Sequence, residues 1–334
     1  MRSILHRVTM NEGLRSKRCT ITSLIIGLIV GFCLAKYSIP GGITKIIQNT
    51  RKNELLAQDL YHEVRVLCWV LTTPENHETK AKHIKATWGK RCNMLLFMSS
   101  VEDPELGSIA LPVPEGRDNL WGKTKEAFKY VYKHHLNDAD WFMKADDDTY
   151  TIVENLRFLL YPYSPNTPIY FGCRYKKFAK QGYMAGGSGY VLSKEALRRF
   201  VEIAVPNATL CKGDNLGAED VQIGVCLENI NVTAGDSRDI QGRGKFFPFP
   251  PEQHLFPSEN KSYWYWDFVY YKTHEGPNCC SDYAVGFHYI EPGQMHVLDY
   301  LIYNLRPYGI TYAHEPLPKK IKSNESIQRN AENK

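Results

Sequence analysis

The chain has 334 residues, of which 43% are hydrophobic and 12% aromatic, which is ample for a packed core in one large or two ordinary domains. The net charge is +5, but residues 1–18 hold five basic side chains and one acidic one, 5 − 1 = +4, so the remainder is close to neutral. This distribution argues against nucleic-acid binding, which needs a concentrated basic surface on the folded part.

An uncharged run follows this basic end and closes at Lys36. Its length is at the short limit for a membrane-spanning helix, and a cleaved signal peptide is the alternative. The late start of the run and the poor cleavage site after it favour an uncleaved anchor. We therefore expect a cytoplasmic tail over 1–18, a transmembrane signal-anchor over 19–36 and a stem over 37–62. A short span suits early secretory membranes, so the expected location is the Golgi, in single-pass type II orientation.

The rest of the chain carries two signs of an oxidising lumen. Seven of the nine cysteines lie there, and in a lumen they should mostly pair. Because seven is an odd number, at least one stays free or pairs between chains. Four N-x-[ST] sequons also follow the anchor, at Asn207, Asn231, Asn260 and Asn324.

The cysteine separations suggest a pairing scheme. Cys68 with Cys92, and Cys211 with Cys226, are close enough in sequence for local bonds. The adjacent pair Cys279–Cys280 either bonds to itself, which requires a distorted backbone, or pairs elsewhere. We expect the first two bonds and leave the third open between these alternatives.

Alternating elements predict an α/β catalytic domain over 63–317. The apolar segments 64–73, 93–100 and 140–145 are typical of buried strands. Residues 119–135 place their apolar side chains at helical spacing. Strands that alternate with helices imply a single domain built on a mainly parallel sheet.

The later part of the chain gives weaker signals. Ser193 is the predicted N-cap of a helix. Residues 243–317 are rich in Pro, Tyr and Trp, and we expect mostly irregular structure there. The polar tail over 318–334 is expected to be disordered.

The most informative motif is the acidic triplet Asp146, Asp147 and Asp148 at the end of a predicted buried strand. On an extended chain Asp146 and Asp148 point to the same face. Two carboxylates there suit a hard divalent cation that also holds phosphate oxygens, and ligands in open α/β sheets bind at this end of the strands. A solvated acidic turn is the plainer alternative.

Two further segments bear on catalysis. Glu219 and Asp220 fall where a helix is predicted to start, so they either cap that helix or supply a general base. The glycine-rich segment 185–190 is either a turn or a backbone that passes close to a ligand. No phosphate-binding loop of the kinase or dinucleotide type is present.

Histidine and aromatic residues complete the candidate set. His288 lies in an apolar run, where a lone histidine is usually a core residue but can also be a metal ligand. Residues 262–271 are unusually aromatic, which suits either a core or a platform for the apolar face of a sugar.

Several long motifs occur in the order found in one enzyme family, and the chain resembles the core 1 β1,3-galactosyltransferases from about residue 65 to about residue 290. That family belongs to the inverting β1,3-glycosyltransferases with the Rossmann-like GT-A fold, so the resemblance implies this fold behind the anchor. The motifs are RVLCWVLTTP, IKATWGKRC, WFMKADDDTY, YMAGGSGYVLS, GAEDVQIGVCLENINVTAGDSRD and CCSDYAVGFHYI.

The resemblance assigns a role to individual residues. It implies that Asp220 is the catalytic base, with Glu219 as the fallback. The other implied roles form three groups: Asp146, Asp148 and His288 as ligands of Mn²⁺; Thr72, Thr73, Pro74, Asp146 and Asp147 near the nucleotide sugar; and Trp264, Tyr289 and Gly187 at the acceptor.

The implied reaction transfers galactose from UDP-galactose to the 3-hydroxyl of N-acetylgalactosamine on Ser or Thr of a glycoprotein. A homodimer and a dedicated chaperone are further implied partners. Two departures from the family, a brief stem and divergence beyond Tyr300, keep two alternatives open. One is an inactive chaperone-like or binding relative, and the other is a sister β1,3-transferase with another donor or acceptor.

Overall fold

The computed structural model describes residues 25–29, 56–256, 264–310, 314–322 and 325. By its internal contacts the chain divides into two units, residues 1–58 and 59–334. The first unit includes a helical segment at 25–29. Within the described ranges, no helix has both the length and the apolar character needed to cross a membrane.

Several expectations fall outside the described residues. They include the whole of the tail over 1–18, most of the anchor and stem, the sequons at Asn260 and Asn324, and most of the polar tail over 318–334. These expectations remain predictions from the sequence.

The second unit is a mixed α/β structure. The helices from residue 56 onward are α1 (56–63), α2 (Lys82–Ala86), α3 (Leu120–His135), α4 (Val153–Leu160), α5 (Lys194–Arg199), α6 (Glu219–Asn229), α7 (Pro251–Leu255), α8 (Tyr265–Phe268) and α9 (Pro292–Tyr303). Its strands are β1 (Val66–Leu71), β2 (Met94–Ser99), β3 (Ser108–Ala110), β4 (Trp141–Asp146), β5 (Tyr150–Thr151), β6 (Ile169–Gly172), β7 (Arg174–Tyr175), β8 (Tyr183–Met184), β9 (Tyr190–Ser193), β10 (Thr233–Ala234), β11 (Phe246–Phe247) and β12 (Gly286–Phe287).

The main sheet has seven strands in the order β10-β6-β9-β4-β1-β2-β3. The pairings β1–β2, β1–β4, β2–β3 and β6–β10 are parallel, and β9 is antiparallel to both of its neighbours. The predicted parallel-rich α/β domain is therefore confirmed. In this sheet Leu71 at the end of β1 pairs with Asp146 at the end of β4. Both strands thus deliver the residues that follow them to the same edge.

The burial of the central strand β1 explains why its sequence is an uninterrupted apolar run. All six residues of β1 are buried, because the sheet is covered on both faces. Its even-numbered side chains join a core with Trp88, and its odd-numbered ones join a second core under α3. In that second core Trp69 meets Phe128 edge-on, with ring centroids 4.9 Å apart. Parallel strands buried on both faces have this near-continuous apolar pattern.

Most of the described residues over 243–317 lie outside helices and strands, as predicted, but the segment also holds short strands and helices. It contains α9, whose first residue is Pro292, a favoured starting position because proline has no N–H to bond there. The Arg91 guanidinium lies 3.2 Å from the ring centroid of Tyr303, whose hydroxyl donates to Glu154 at 2.5 Å. These polar contacts anchor the helix, and its exposed face remains apolar, so no amphipathic stripe marked it in the sequence.

Disulfide bonds link the cysteines as the separations suggested. Cys68 bonds Cys92 across β1 and the start of β2, and Cys211 bonds Cys226 of α6. The adjacent Cys279 and Cys280 bond each other, which decides between the two alternatives left open. Among the described cysteines, Cys173 is the free one, and it is buried.

Candidate active site

Three side chains with metal-ligand chemistry meet beyond the carboxyl end of β4. One ligand atom from each of Asp146, Asp148 and His288 lies within 4.8 Å of the others. His288 Nε2 and Asp148 Oδ1 lie 3.1 Å apart. Two carboxylates and an imidazole fit a divalent cation such as Mn²⁺ or Mg²⁺, with positions left for phosphate oxygens.

The small sheet brings His288 to the acids. β12 pairs antiparallel with β5, so that Phe287 lies opposite Tyr150, two residues after Asp148. The backbone N–H of His288 donates to Phe247 of β11 at 3.1 Å. The N–H of Ile290 donates to the carbonyl of Asp148 at 2.9 Å. His288 is thus held on both sides by backbone hydrogen bonds.

The surroundings of Asp148 favour the ionised form of its carboxyl group, which is the form that binds a cation. Burial by itself would raise the pKa of its carboxyl group. The hydrogen bond from His288, together with nearby positive charge that includes Lys80 and Lys144, offsets this effect, and the pKa of Asp148 is lower than its usual value. Asp148 is therefore ionised at neutral pH, as a metal ligand must be.

Asp147 points away from this cluster and ties β4 to the end of β1. Its Oδ2 accepts hydrogen bonds from Thr72 Oγ1 at 2.8 Å and Asn76 Nδ2 at 2.9 Å. Lys80 Nζ lies 3.6 Å from its other oxygen. Thr73 and Pro74 follow directly on Thr72, half-buried at the same edge. The predicted nucleotide residues are therefore brought together, and their contact with a nucleotide stays a prediction.

Lys144 lies under the acids as a buried cation. Its Nζ is 2.5 Å from Asp146 Oδ1 and 3.9 Å from Glu219 Oε2. Burial by itself would lower its pKa, but the charges of Asp146 and Glu219 hold the pKa above the ordinary value. Lys144 therefore stays charged and relieves the repulsion between carboxylates that gather at this edge.

Glu219 and Asp220 begin α6, as expected, but their surroundings differ. Glu219 is buried, and its Oε1 accepts from Tyr190 at 2.6 Å and Thr124 at 2.9 Å. Asp220 is half-buried, and it accepts from the backbone N–H of Gly186 at 3.2 Å. Burial raises the pKa of both carboxyl groups. Asp220 is thus the more accessible of the two.

The glycine-rich segment allows the histidine to approach closely. A Cβ atom on Gly187 would lie 2.1 Å from His288 ring atoms, which is an impossible distance. The carbonyl of Gly187 accepts from Thr149 Oγ1 at 2.8 Å, so this backbone cannot easily move aside. The segment forms a turn, in which the N–H of Gly189 donates to the carbonyl of Gly186 at 3.0 Å, and its backbone also passes close to the imidazole of His288. Its approach to a bound ligand stays a prediction.

A cleft of about 560 Å³ opens beside the metal-ligand cluster. The predicted residues that line it are Asp146, Gly187, Glu219, Asp220, Trp264, His288 and Tyr289. Other residues that line it were not predicted as site residues, and they include Arg117, Asp118, Tyr175 and Phe249. Of these four, only the Arg117–Asp118 pair had a sequence signal, as polar residues just before the predicted helix at 119–135.

The acid–histidine cluster at the strand ends of this parallel-rich α/β fold could hold a divalent cation, an arrangement that suits transfer from a phosphorylated donor. The Fringe-like family profile matches residues 62–240, which is more than half of the chain. The chain belongs to the Fringe-like family, and it is a glycosyltransferase.

Individual relatives narrow the comparison. Glycoprotein-N-acetylgalactosamine 3-beta-galactosyltransferase 1 of Xenopus laevis is 51% identical over 263 residues, 78% of this chain and 72% of the relative. Beta-1,3-glucosyltransferase of Mus musculus is 26% identical over 205 residues, 60% of this chain and 41% of the relative. Chondroitin sulfate synthase 3 of Homo sapiens is 28% identical over 183 residues, which cover 49% of this chain and 20% of the relative. The resemblance to the core 1 β1,3-galactosyltransferases is confirmed.

The contact between Gly187 and His288 makes a testable prediction. Gly187→Ala should push the imidazole away from Asp148 and weaken binding of Mn²⁺, used as the probe cation, by at least about tenfold, as disturbing a metal ligand's support does elsewhere. Gly213→Ala is the matched control, because a Cβ atom there meets nothing within 4 Å. Calorimetric titration with MnCl₂ in the presence of UDP measures both. Equal affinity of the two variants would mean that His288 is not a ligand.

Proposed function

We propose that the protein transfers galactose from UDP-galactose to the 3-hydroxyl of N-acetylgalactosamine O-linked to Ser or Thr of glycoproteins, with inversion, on a GT-A fold. The observation that carries the proposal is that Asp146, His288 and Asp220 all line the same cleft. The printed name of the Xenopus laevis relative, at 51% identity, supports this donor sugar and this acceptor.

The metal-ligand cluster would hold the donor's diphosphate. Asp146, Asp148 and His288 would hold Mn²⁺, which neutralises the departing diphosphate when bound. The residues after β1, Thr72 to Pro74, lie at the same edge of the sheet and suit contact with the nucleotide. Lys144 Nζ donates to Asp146 Oδ1 at 2.5 Å and places a positive charge beside the ligand cluster.

Asp220 suits the role of general base. Burial raises its pKa, and a carboxylate with a raised pKa accepts a proton more readily. The N–H groups of Gly186 and Val221 hold its two oxygens in a fixed direction at 3.2 and 2.9 Å. Glu219 is less suited, because its side chain is buried and Tyr190 and Thr124 hold it inside the fold, whereas Asp220 is half-buried.

The transfer needs a single displacement. The acceptor hydroxyl gives its proton to Asp220, and its oxygen forms a bond to the anomeric carbon. The bond from that carbon to the diphosphate breaks on the opposite face, and UDP leaves with the electron pair. The sugar configuration inverts in this one step, so a second catalytic carboxylate of the kind used by retaining hydrolases is not required.

Exposed aromatic rings give the cleft an acceptor face. Trp264 is 46% exposed and Tyr289 is 53% exposed, although both line the cleft. Tyr289 has a φ of 57°, a costly backbone conformation for a tyrosine, and its ring stacks 3.8 Å from that of His288. Rings fixed in this way suit the apolar face of N-acetylgalactosamine.

The cellular setting is proposed from the sequence. Basic residues before an uncharged run favour a single-pass type II Golgi protein with a luminal catalytic part. A homodimer and a dedicated chaperone are carried over from the family. The sequons at Asn207 and Asn231 are exposed, as glycosylation requires. Peptide N-glycosidase should therefore increase the gel mobility of the secretory-pathway protein, and unchanged mobility would contradict a luminal orientation.

A transfer assay tests the function. The purified protein is incubated with Mn²⁺, a GalNAc-Thr peptide, and UDP-galactose, UDP-glucose, UDP-GlcNAc or UDP-GalNAc in turn. UDP-galactose should give a β1,3-linked disaccharide. Preference for UDP-glucose would instead favour a sister transferase, in line with the glucosyltransferase relative. No transfer with any donor would favour a chaperone-like role.

Two substitutions should impair different steps, one the binding of UDP and the other the transfer itself. Asp148→Asn should lose Mn²⁺-dependent UDP binding and transfer together, since it removes a metal ligand. Asp220→Asn should keep UDP binding while transfer falls by at least about 10²-fold, the low end for loss of a general base. Calorimetry with UDP and Mn²⁺ gives the binding. Normal transfer by Asp220→Asn would move the base to Glu219.

A further inference from the structure

A second cavity, of about 510 Å³, lies beside the catalytic cleft. Segments from β7, β11, α7 and α8 form its walls. Most of its lining surface is apolar, and its rings include those of Phe246, Phe247, Phe249, His254, Tyr265 and Trp266. Flat apolar walls of this kind favour a flat apolar occupant.

Phe249 is the wall shared by the cavity and the catalytic cleft. On the cleft side, its ring centroid lies 5.9 Å from that of Trp264 and 6.4 Å from that of Tyr289. On the cavity side, it lies 5.7 Å from His254 and 5.6 Å from Tyr265. The cavity is therefore adjacent to the face proposed for the acceptor, with the Phe249 ring between them.

The reach between the two sites is short. Through the Phe249 ring, the centroids of His254 and Tyr289 are at most about 12 Å apart. An extended polypeptide covers about 3.3–3.6 Å per residue, so about four residues span this distance. A side chain close in sequence to a glycosylated Ser or Thr can thus enter the cavity while the sugar lies in the cleft.

His254 offers the cavity one unsatisfied polar atom. The residue is 9% exposed, and its Nε2 has no hydrogen-bond partner. Leaving such an atom buried and unpaired is costly, by about 1–3 kcal/mol. Burial lowers the pKa of His254 to about 4, so the ring is neutral and pairs best with an uncharged polar group.

Three cationic side chains, Arg174, Arg238 and Lys245, belong to the walls and already have contacts. Lys245 Nζ lies 5.4 Å from the ring centroid of Phe158. Arg174 donates to the carbonyl of Gln181 and to the hydroxyl of Tyr271, both at 2.8 Å. Arg238 forms an ion pair with Asp236 at 2.7 Å. A charged ligand would have to break these contacts or remain unpaired in the cavity, and an uncharged ligand avoids both costs.

We propose that this cavity binds one tyrosine or tryptophan side chain of the acceptor polypeptide, within about four residues of the glycosylated position. The flat ring packs among the aromatic walls, and its single polar tip reaches His254 Nε2. The proposal rests on the proposed function, because it takes the acceptor to be a glycosylated polypeptide. Binding in this cavity makes the enzyme selective for the amino-acid sequence around the glycosylated residue as well as for the sugar itself.

The test uses GalNAc-Thr peptides in which Tyr, Phe or Ala replaces each residue from four before to four after the threonine. Methyl α-GalNAc serves as an acceptor too small to reach the cavity. At the preferred position, Tyr should raise kcat/KM about tenfold over Ala, within the range that one pocket-filling group gives. The rate of transfer to methyl α-GalNAc gives the baseline for an acceptor that makes no contact with the cavity.

Two variants of the full chain locate the effect. Gln253→Trp places a large ring at the cavity mouth from an exposed position, and should abolish the advantage of Tyr over Ala. Leu255→Trp is the matched control, since it lies on the same helix, is exposed and does not line the cavity. His254→Phe removes the polar atom, and should reverse the preference from Tyr to Phe.

The outcomes separate the two proposals. No transfer by the wild type to either acceptor would contradict the proposed function. Transfer to both acceptors with no Tyr preference at any position would overturn the cavity proposal alone. A Tyr preference that Gln253→Trp leaves intact would also overturn it. So would an equal loss of transfer to methyl α-GalNAc in Gln253→Trp, because a loss shared by both acceptors means that the cavity supports the active site itself.

Discussion

The pairing of β12 with β5 is the constraint on which the active site depends. It carries His288 to within 3.1 Å of Asp148, a residue far from it in the sequence. β11 pairs with β12 on its other side and fixes the strand between two neighbours. Without this small sheet, Asp146 and Asp148 would be two acids on a turn. With it, they become part of a three-ligand cluster beside a cleft.

The same edge must hold more negative charge than a protein interior usually accepts. Asp146, Asp148, Glu219 and Asp220 gather there, and burial raises the pKa of the last two. Lys144 offsets part of this charge from inside the fold. The remaining negative charge faces the cleft, where a divalent cation and an acceptor proton can neutralise it. Charge that is unfavourable for folding is thus placed where it assists transfer.

The sequence predicted the elements whose pattern is local. β1, β2, β4 and α3 follow the predicted runs closely, since continuous burial or helical spacing marks each of them. Ser193 accepts from the N–H of Ala196, as the predicted N-cap should. The start of α6 at Glu219 also follows prediction. In each case the signal lies within a few residues of the feature.

Features that depend on distant contacts were not visible in the sequence. The antiparallel direction of β9 leaves no mark, because Tyr190–Ser193 is as buried as a parallel strand. α9 was missed because its anchors, Arg91 and Glu154, come from elsewhere in the chain. His288 alone favoured a core role, and only the family resemblance identified it as a ligand. Phe249 gave no signal, because its importance lies in separating two cavities.

The metal cluster is the central claim, and diffraction tests it most directly. Crystals grown with Mn²⁺ and UDP should be measured on both sides of the manganese absorption edge. The account predicts one anomalous peak bonded to Asp148 and His288, adjacent to Asp146, and shared with the diphosphate oxygens. A diphosphate bound without manganese, or manganese bound away from these three residues, would contradict it.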